Sequence, residues 1–286
     1  MIEQRRVLSV QDISCFGKCA NTVALPVLSA AGHECVVLPT ALLSTHTGGF
    51  TGYSFLDLTQ EMQKILAHWG TLGLHFDAVQ TGYFGGLEQL RILRDFITRQ
   101  VGTEAVLCVD PVMGDRGQLY SIYDEAFVRG MREFVHGADV ITPNVTEAAL
   151  LCGLPYRGQD DLAMVDAYLD GFAGLGVRRA VLTGVYFGQQ ETGVAAVDFT
   201  TGERRVMKTP RLEGYLHGTG DVFASSLCAL MLQGKPFMQA VQGALEFTFA
   251  AIQATDSVRG QYGLCFESVL GLLVPKNSGA EKTVFG

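Results

Sequence analysis

Basic residues are scarce in this chain of 286 residues. Lysine and arginine number 21 against 29 aspartates and glutamates, and the net charge is −8. Nucleic acids and anionic membrane surfaces are bound mainly by basic faces, so we expect neither as a partner. Long apolar runs are also missing, since none reaches the roughly 18 residues that cross a bilayer. With 48% hydrophobic and only 17% charged residues, the composition is typical of a compact, enzyme-like domain with buried strands.

The cysteines lack the pattern of a disulfide framework or of a zinc site. There are seven, an odd number, and they are scattered through apolar segments, which is typical of reduced thiols. Cys15 and Cys19 are close enough for a metal pair, but no second pair or nearby histidine completes a site. Residues 1–6 run directly into a strand candidate and do not resemble a signal peptide. We therefore expect a cytoplasmic protein.

Strand and helix patterns alternate along the chain, which predicts an α/β fold with a central, mostly parallel sheet flanked by helices on both faces. No change of composition marks a linker, so we expect one domain over residues 1–275 and a polar tail over 276–286. Pro26 predicts a kink or a late start in the first helix. The predicted strands are 7–10, 35–38, 78–80, 105–109, 139–142 and 180–182, with a hairpin over 193–208. The predicted helices are 20–31, 58–70, 87–101, 123–135, 160–173, 221–233 and 237–254.

Glycine is abundant, and the most informative glycines stand just before a predicted helix, in His217-Gly218-Thr219-Gly220-Asp221. Glycine keeps no side chain between an anion and the backbone, and the first turn of a helix has N–H groups without an internal partner. The stretch therefore predicts a binding site for a phosphate or a developing negative charge. Asp221 beside it could accept a proton from an attacking hydroxyl. The alternative is that Asp221 only caps the helix.

Other polar residues follow the predicted strands, at the edge where parallel sheets bind their ligands. Asp110 and Asp115 lie on one strand-end turn, and Asn144 and Glu147 stand one helical turn apart. Such hard oxygen ligands hold Mg²⁺ through water beside substrate phosphates. Together with the glycine stretch and an aspartate base, they predict phosphoryl transfer. The Walker A motif and the glycine loop of protein kinases are both absent.

This combination resembles the ribokinase-like kinases and, within them, the pyridoxal (vitamin B6) kinases. Residues 218–221 resemble the family's anion hole and catalytic aspartate, and Asn144-Val145-Thr146-Glu147 its magnesium and phosphate motif. The resemblance extends from about residue 5 to 255. The vitamin B6 branch is indicated by Leu8-Ser9-Val10-Gln11, by Ser44-Thr45-His46-Thr47, by Thr81-Gly82-Tyr83-Phe84-Gly85, and by Asp110-Pro111-Val112-Met113-Gly114-Asp115 with Gly117 and Tyr120.

The resemblance implies a homodimer that phosphorylates the hydroxymethyl group of pyridoxal, pyridoxamine or pyridoxine, with ATP and Mg²⁺ in a cleft at the strand ends. A requirement for a monovalent cation is left open. By resemblance, Asp221 is the base, and Gly218, Thr219 and Gly220 hold the transferred group. The residues that the resemblance places beside the nucleotide are Asp110, Thr142, Asn144, Glu147, Thr183, Gly184, Pro210, Arg211 and Leu212. The implied metal ligands are Asp110, Asp115 and Glu147. The residues implied to contact the substrate are Asp12, His46, Thr47, Gly48, Tyr83 and Asp221.

Asp12 departs from the pattern of this family. Many pyridoxal kinases have a serine there, and an aspartate resembles the hydroxymethylpyrimidine kinases of thiamine synthesis, whose glycine-rich start is not reproduced by Ser14-Cys15-Phe16-Gly17. Two other functions therefore stay open: hydroxymethylpyrimidine kinase activity, alone or in addition, and a non-catalytic B6-binding protein. Retention of Asp221 disfavours the second. Asp12 either faces the ring and favours a cationic vitamer such as pyridoxamine, or caps its own loop.

Overall fold

A nine-stranded sheet runs through the centre of the protein in a computed structural model that describes residues 4–212, 216–256 and 259–275. The strands are β1 (Arg6–Phe16), β2 (Glu34–Thr45), β3 (Phe55–Asp57), β4 (Ala78–Thr81), β5 (Val106–Val109), β6 (Gly114–Asp115), β7 (Gln118–Leu119), β8 (Val140–Ile141), β9 (Arg179–Tyr186), β10 (Glu191–Asp198) and β11 (Glu203–Pro210). Of these, β6 and β7 form a separate small hairpin.

The helices follow the strands in regular alternation. They are α1 (Asn21–Ala30), α2 (Thr59–Leu72), α3 (Leu87–Phe96), α4 (Glu125–Val135), α5 (Val145–Cys152), α6 (Leu162–Ala173), α7 (Thr219–Leu232) and α8 (Phe237–Gln253). A π-helical turn (Ile97–Val101) continues α3, and two 3₁₀ helices (Gly260–Tyr262 and Phe266–Leu272) follow α8. No helix in the described ranges is both long and apolar enough to cross a membrane.

The strand order is β11-β10-β9-β8-β5-β4-β1-β2-β3, and the six strands from β9 to β2 are parallel. The predicted α/β fold with a mostly parallel sheet is confirmed. The register aligns Thr81 with Val10 on one side and with Val109 on the other. Because β4 and β5 end level with Val10 in the middle of β1, Asp110, the second half of β1 and the residues after β4 and β8 meet at one edge of the sheet.

Helices cover both faces of the sheet. One buried cluster lies between the sheet and α1, α7 and α8, and includes Val23, Phe223 and Val241. The other lies beneath α2 to α6 and includes Leu93 and Tyr168. Complete burial of each side chain of this size contributes about 1.5–3 kcal/mol to folding. The two clusters pack against opposite faces of the sheet and hold the strands in place, which fixes the position of the polar edge of the sheet.

Several local predictions are corrected by the structure. Helix α1 begins at Asn21 with Pro26 inside it, so the predicted late start is wrong. Helix α2 continues past Gly70 to Leu72 and is followed by Gly73, whose φ of 61° is the left-handed conformation that glycine adopts readily. The β6–β7 hairpin and the two 3₁₀ helices were not predicted, because such short segments carry no periodic pattern. The predicted polar tail, 276–286, lies outside the described residues.

Candidate active site

Helix α7 begins at the carboxyl edge of the sheet without a side-chain cap. Gly218 occupies the N-cap position with φ 77°, and a Cβ there would lie 2.3 Å from the carbonyl oxygen of Lys18. Gly220 is exposed, and the nearest atom to a Cβ on it would be Asp110 Oδ2 at 3.9 Å. The N–H groups of the first turn of α7 therefore face open space, which is the geometry of an anion site.

Asp221 is the third residue of α7, so the alternative that it is the N-cap residue is wrong. Its carboxyl group is partly shielded from water by the surrounding protein, and this burial raises its pKa to about 7. The N–H of Ala20 donates a hydrogen bond to it and lowers the pKa, while the charge of Asp12 raises it. A carboxyl group that titrates near neutral pH, beside an anion site, is suited to act as a general base.

Ala20 is a feature of the site that the sequence gives no reason to single out. It is buried and has φ 46° and ψ −128°, a conformation that residues with a side chain rarely adopt. Such backbone strain costs about 1–3 kcal/mol and persists where the surrounding structure enforces it. Here the strained turn directs the N–H of Ala20 at the carboxylate of Asp221, and so orients the predicted base.

Asp110 faces Asp221 from the end of β5. The hydroxyl of Thr142 donates to Asp110 Oδ1 at 3.2 Å. Burial raises the pKa of Asp110 to about 8, the charge of Asp221 adds to this, and the bond from Thr142 opposes it. Two neighbouring carboxylates that resist simultaneous ionisation are the donor set that a divalent cation would stabilise. The residues present therefore fit the predicted Mg²⁺.

Asn144 and Glu147 form a closed capping box at the start of α5. Asn144 Oδ1 accepts from the N–H of Glu147 at 3.0 Å, and Glu147 Oε2 accepts from the N–H of Asn144 at 2.9 Å. Glu147 Oε1 accepts from Met113 N–H at 3.1 Å, and Asn144 Nδ2 donates to the carbonyl oxygen of Gly114 at 2.9 Å. The motif therefore fastens the β6–β7 hairpin to α5.

The three predicted metal ligands do not converge. Asp115 lies on the hairpin and accepts from the N–H of Arg116 at 2.8 Å. In the part of the chain that the structure describes, no three histidine, cysteine, aspartate or glutamate side chains are grouped as metal ligands. Asp110 lies close to Glu147, since its charge acts on the Glu147 carboxyl, but Asp115 is apart from this pair. The metal set of Asp110, Asp115 and Glu147 remains a prediction.

Asp12 lies within β1, near Asp221. It is buried, its Oδ2 accepts from the hydroxyl of Ser14 at 2.9 Å, and its charge acts on both Asp221 and Tyr83. Burial raises the pKa of Asp12 to about 6, against the lowering effect of Ser14. The structure therefore brings Asp12 into the site and also gives it the local bond to Ser14 that the loop-capping alternative expects.

The remaining substrate-side residues surround the loop after β2. The His46 ring is buried, with its centre 4.9 Å from those of Phe50 and His217. Burial lowers the pKa of His46, and the charge of His217 lowers it further. A Cβ on Gly48 would lie 2.1 Å from His217, so this loop packs directly on the residue before the anion site. Thr47 is exposed, and Tyr83 is half-buried and faces the site from the end of β4.

A second group that sequence reasoning missed closes the site from the C-terminal side. The Tyr262 ring centre lies 5.3 Å from that of Phe16 and 5.9 Å from that of Phe50, and the carbonyl oxygen of Tyr262 accepts from Lys18 N–H at 2.7 Å. The first 3₁₀ helix thereby joins the loop after β1 to the loop after β2. No sequence signal marks Tyr262, because a single 3₁₀ turn has no periodicity to detect.

The predicted nucleotide-side residues lie along the same edge, beyond α5. Thr183 N–H donates to the carbonyl oxygen of Pro143 at 2.9 Å, and Gly184 has φ 69°. Strand β11 ends at Pro210, level with the end of β9 across β10. The Arg211 guanidinium lies 3.9 Å from the ring centre of Tyr186, and Leu212 is exposed. The segment after Leu212, residues 213–215, lies outside the described residues.

The parallel sheet, the uncapped glycine-lined start of α7 and the paired carboxylates together define a small-molecule kinase of the ribokinase-like class. A model of the phosphomethylpyrimidine kinase family matches residues 25–265. The chain belongs to this family.

Three relatives illustrate the similarity. A pyridoxine/pyridoxal/pyridoxamine kinase of Bordetella avium is 31% identical over 87% of this chain and 85% of its own. A structure from Bacteroides thetaiotaomicron, described as a phosphomethylpyrimidine kinase and crystallised with pyridoxal, is 34% identical with a TM-score of 0.89. The match covers 97% of this chain and 98% of that chain. Pyridoxal kinase from Leishmania donovani, in complex with ADP and pyridoxamine, is 27% identical with a TM-score of 0.82. The match covers 94% of this chain and 96% of that chain. The resemblance to vitamin B6 kinases of the ribokinase-like superfamily is confirmed.

Proposed function

We propose that this protein transfers the terminal phosphoryl group of ATP to the hydroxymethyl group of a vitamin B6 vitamer. The observation that carries the proposal is the start of α7, where the base Asp221 adjoins an exposed, uncapped helix turn at Gly220. The similarity to pyridoxal kinases, one of them in complex with ADP and pyridoxamine, supports the choice of substrates.

The chemistry follows from the position of Asp221. Its carboxylate accepts the proton of the hydroxymethyl group as the oxygen attacks the terminal phosphorus of ATP. The bond from that phosphorus to the bridging oxygen breaks, and ADP leaves with the electron pair. The N–H groups of residues 219 and 220 donate to the oxygens of the transferred group and stabilise their charge. Proximity and charge stabilisation thus supply most of the rate acceleration.

Mg²⁺, when bound, would neutralise phosphate charge and align the terminal phosphoryl group. Asp110 and Glu147 would hold it, directly or through water, since each Glu147 oxygen accepts one backbone N–H and keeps a second lone pair. Thr142 keeps the carboxylate of Asp110 oriented. Thr183, Gly184 and the segment 210–212 would border the nucleotide.

The vitamer ring would lie between Tyr83 and the loop that carries His46, Thr47 and Gly48. His46 Nε2 is buried and has no hydrogen-bond partner among the described residues. Hydrogen bonds to the backbone of Tyr262 and Gln261 hold the ring and raise its pKa against the lowering effect of burial, so we assign His46 to the border of the vitamer site. Asp12 would add a negative charge beside the vitamer ring.

Hydroxymethylpyrimidine is a second candidate substrate. The family description and the presence of aspartate at position 12 favour it, and its reacting group is also a hydroxymethyl. A purely binding role is disfavoured, because Asp221 and both flanking glycines are present, and a protein that only holds the vitamer needs no base there.

The assembly that we propose is a homodimer in the cytoplasm. Strand β3 lies at the edge of the sheet and exposes Phe55 and Leu56, with Leu42 of the adjoining strand. An exposed apolar sheet edge is a surface that proteins usually cover. The seven cysteines are all free thiols, which supports a reducing compartment.

A single assay tests the function. ATP consumption is measured with pyridoxal, pyridoxamine, pyridoxine and hydroxymethylpyrimidine in turn, with and without Mg²⁺ and in potassium or sodium salt. We expect turnover with at least one B6 vitamer and only with Mg²⁺. Turnover of hydroxymethylpyrimidine alone would assign the second function instead, and a protein that binds vitamers without consuming ATP would overturn the proposal.

A further inference from the structure

Strand β4 carries a polar side chain where the fold calls for an apolar one. Parallel strands covered on both faces are normally continuous apolar runs, yet Gln80 is the third of the four residues of β4 and is only 2% exposed. Burial of an amide side chain is unfavourable unless its donors and acceptors are paired. The hydrogen bonds of Gln80 therefore indicate why it is there.

One bond of Gln80 reaches the helix that carries the base. Its Nε2 donates to the hydroxyl of Ser225 at 2.8 Å, and Ser225 is completely buried in α7. Ser225 follows Asp221 by four residues, so the two side chains lie on the same face of α7, one turn apart. The bond thus ties the first two turns of α7 to the centre of the sheet.

The other end of the Gln80 amide is buried without a hydrogen bond in the part of the chain that the structure describes. Gln80 Oε1 has no hydrogen-bond partner among the described residues. A cavity of about 10 Å³ lies beside it, lined by Gln80, Asp110 and Thr142 together with Ala224 and Leu227 of α7. That volume is about the minimum for one water molecule, but apolar atoms form nearly all of the lining surface, so we expect the cavity to be dry. The direct bond to Ser225 is therefore the polar contact through which the Gln80 side chain acts.

The register of the sheet shows where Gln80 lies relative to Asp110 and Asp221. Gln80 pairs with Cys108 of β5, two residues before Asp110, while Ser225 lies one turn beyond Asp221. Gln80 thus lies between the element that positions Asp110 and the element that positions Asp221. It is too deeply buried to take part in substrate binding.

We infer that Gln80 is a positioning residue, which sets the separation of Asp221 and Asp110 by fastening α7 to β4, the strand next to β5, through its direct bond to Ser225. The inference rests on the proposed function, because it assigns Asp221 and Asp110 to phosphoryl transfer. Displacement of a reacting group by about 1 Å can reduce turnover a hundredfold, so a buried bond in this place affects catalysis without any contact with substrate.

The test compares Gln80→Met, which keeps the length of the side chain and removes the amide, with Ser225→Ala. For each variant, we expect kcat to fall about tenfold or more, and KM for ATP and for the vitamer to stay within about threefold of the parent values. The double variant should be no slower than the slower single variant, because both changes remove the same bond.

Ser226→Ala is the matched control. Ser226 is the adjacent, equally buried serine of α7, but its hydroxyl donates to the carbonyl oxygens of Val222 and Phe223 in its own helix. We expect this variant to keep the kcat of the parent. Its melting temperature should be similar to that of Ser225→Ala. An equal loss of kcat in both serine variants, or parent-like kcat in Gln80→Met and Ser225→Ala, would overturn the inference.

Crystal structures give a readout that does not depend on activity. In Gln80→Met or Ser225→Ala, we expect the separation of the Asp110 and Asp221 carboxyl groups to differ from that of the parent by about 0.5 Å or more. An unchanged separation would contradict the inference. A parent without turnover but with these structural results would instead overturn the proposed function alone.

Discussion

Two helices begin at the same edge of the sheet, and both have a carboxylate as their third residue: Glu147 in α5 and Asp221 in α7. At α5 the N-cap is Asn144, and the two side chains satisfy each other's backbone N–H groups. At α7 the N-cap is Gly218, which has no side chain to offer. The Asp221 carboxylate accepts instead from Ala20, on a different element.

The difference teaches that a helix start is a structural support or a reactive site according to its N-cap residue. A closed capping box occupies the groups that could bind an anion, so α5 contributes rigidity. An uncapped start leaves its N–H groups available to bind an anionic ligand, so the start of α7 can bind the transferred group. The predictions below test this contrast.

Replacing the α7 carboxylate should have the largest effect. In Asp221→Asn the amide cannot accept the hydroxymethyl proton, and we expect turnover to fall by about two orders of magnitude or more while ATP affinity stays near that of the parent. Steady-state kinetics and calorimetric titration with ATP measure the two quantities. Turnover within a few-fold of the parent would rule out Asp221 as the base.

Filling the anion site should have the next largest effect. A Cβ on Gly220 meets no protein atom closer than 3.9 Å, so Gly220→Val should fold stably. Its branched side chain would nevertheless stand where the phosphoryl group approaches the backbone, and we expect a loss of turnover of about a hundredfold. Activity close to that of the parent, in a variant with an unchanged melting temperature, would place the phosphoryl group elsewhere.

Asp12 acts on the same carboxylate from the substrate side, and its removal should alter selectivity rather than rate. If Asp12 faces the ring, a charge-assisted hydrogen bond to the ammonium of pyridoxamine is worth about 1.5–3 kcal/mol. Asp12→Ser should then change the ratio of catalytic efficiencies by about ten- to a hundredfold towards pyridoxal. The ratio is measured for both vitamers in parent and variant. An unchanged ratio would leave Asp12 as the loop-capping partner of Ser14.

The smallest effect should come from opening the capping box of α5. Asn144→Ala removes the acceptor of the Glu147 N–H and the donor to Gly114, and we expect the free energy of unfolding to fall by about 1–2 kcal/mol. Asp221→Asn, by contrast, should be at least as stable as the parent, because it relieves repulsion from Asp110 and Asp12. Urea unfolding compares the two. The reverse order of stabilities would contradict the assigned roles.

Sequence reasoning predicted the parallel sheet, the place of Asp221 beside its glycines and the grouping of polar residues at the strand ends. Those features follow from periodicity and from residue types that force particular local conformations. It treated Asn144 and Glu147 as free ligands, because a capping box and a metal motif have the same spacing. It missed Ala20, Gln80 and Tyr262, whose roles arise from contacts between segments distant along the chain.

The most direct test of the account is a crystal structure with ADP, aluminium fluoride, Mg²⁺ and a B6 vitamer, since the fluoroaluminate takes the place of the phosphoryl group in transfer. We expect it about 2.7–3.1 Å from the N–H groups of residues 219 and 220, with the Asp221 carboxylate within hydrogen-bonding distance of the vitamer's hydroxymethyl oxygen. A fluoroaluminate bound at the start of α5, or a hydroxymethyl group turned away from Asp221, would contradict the account.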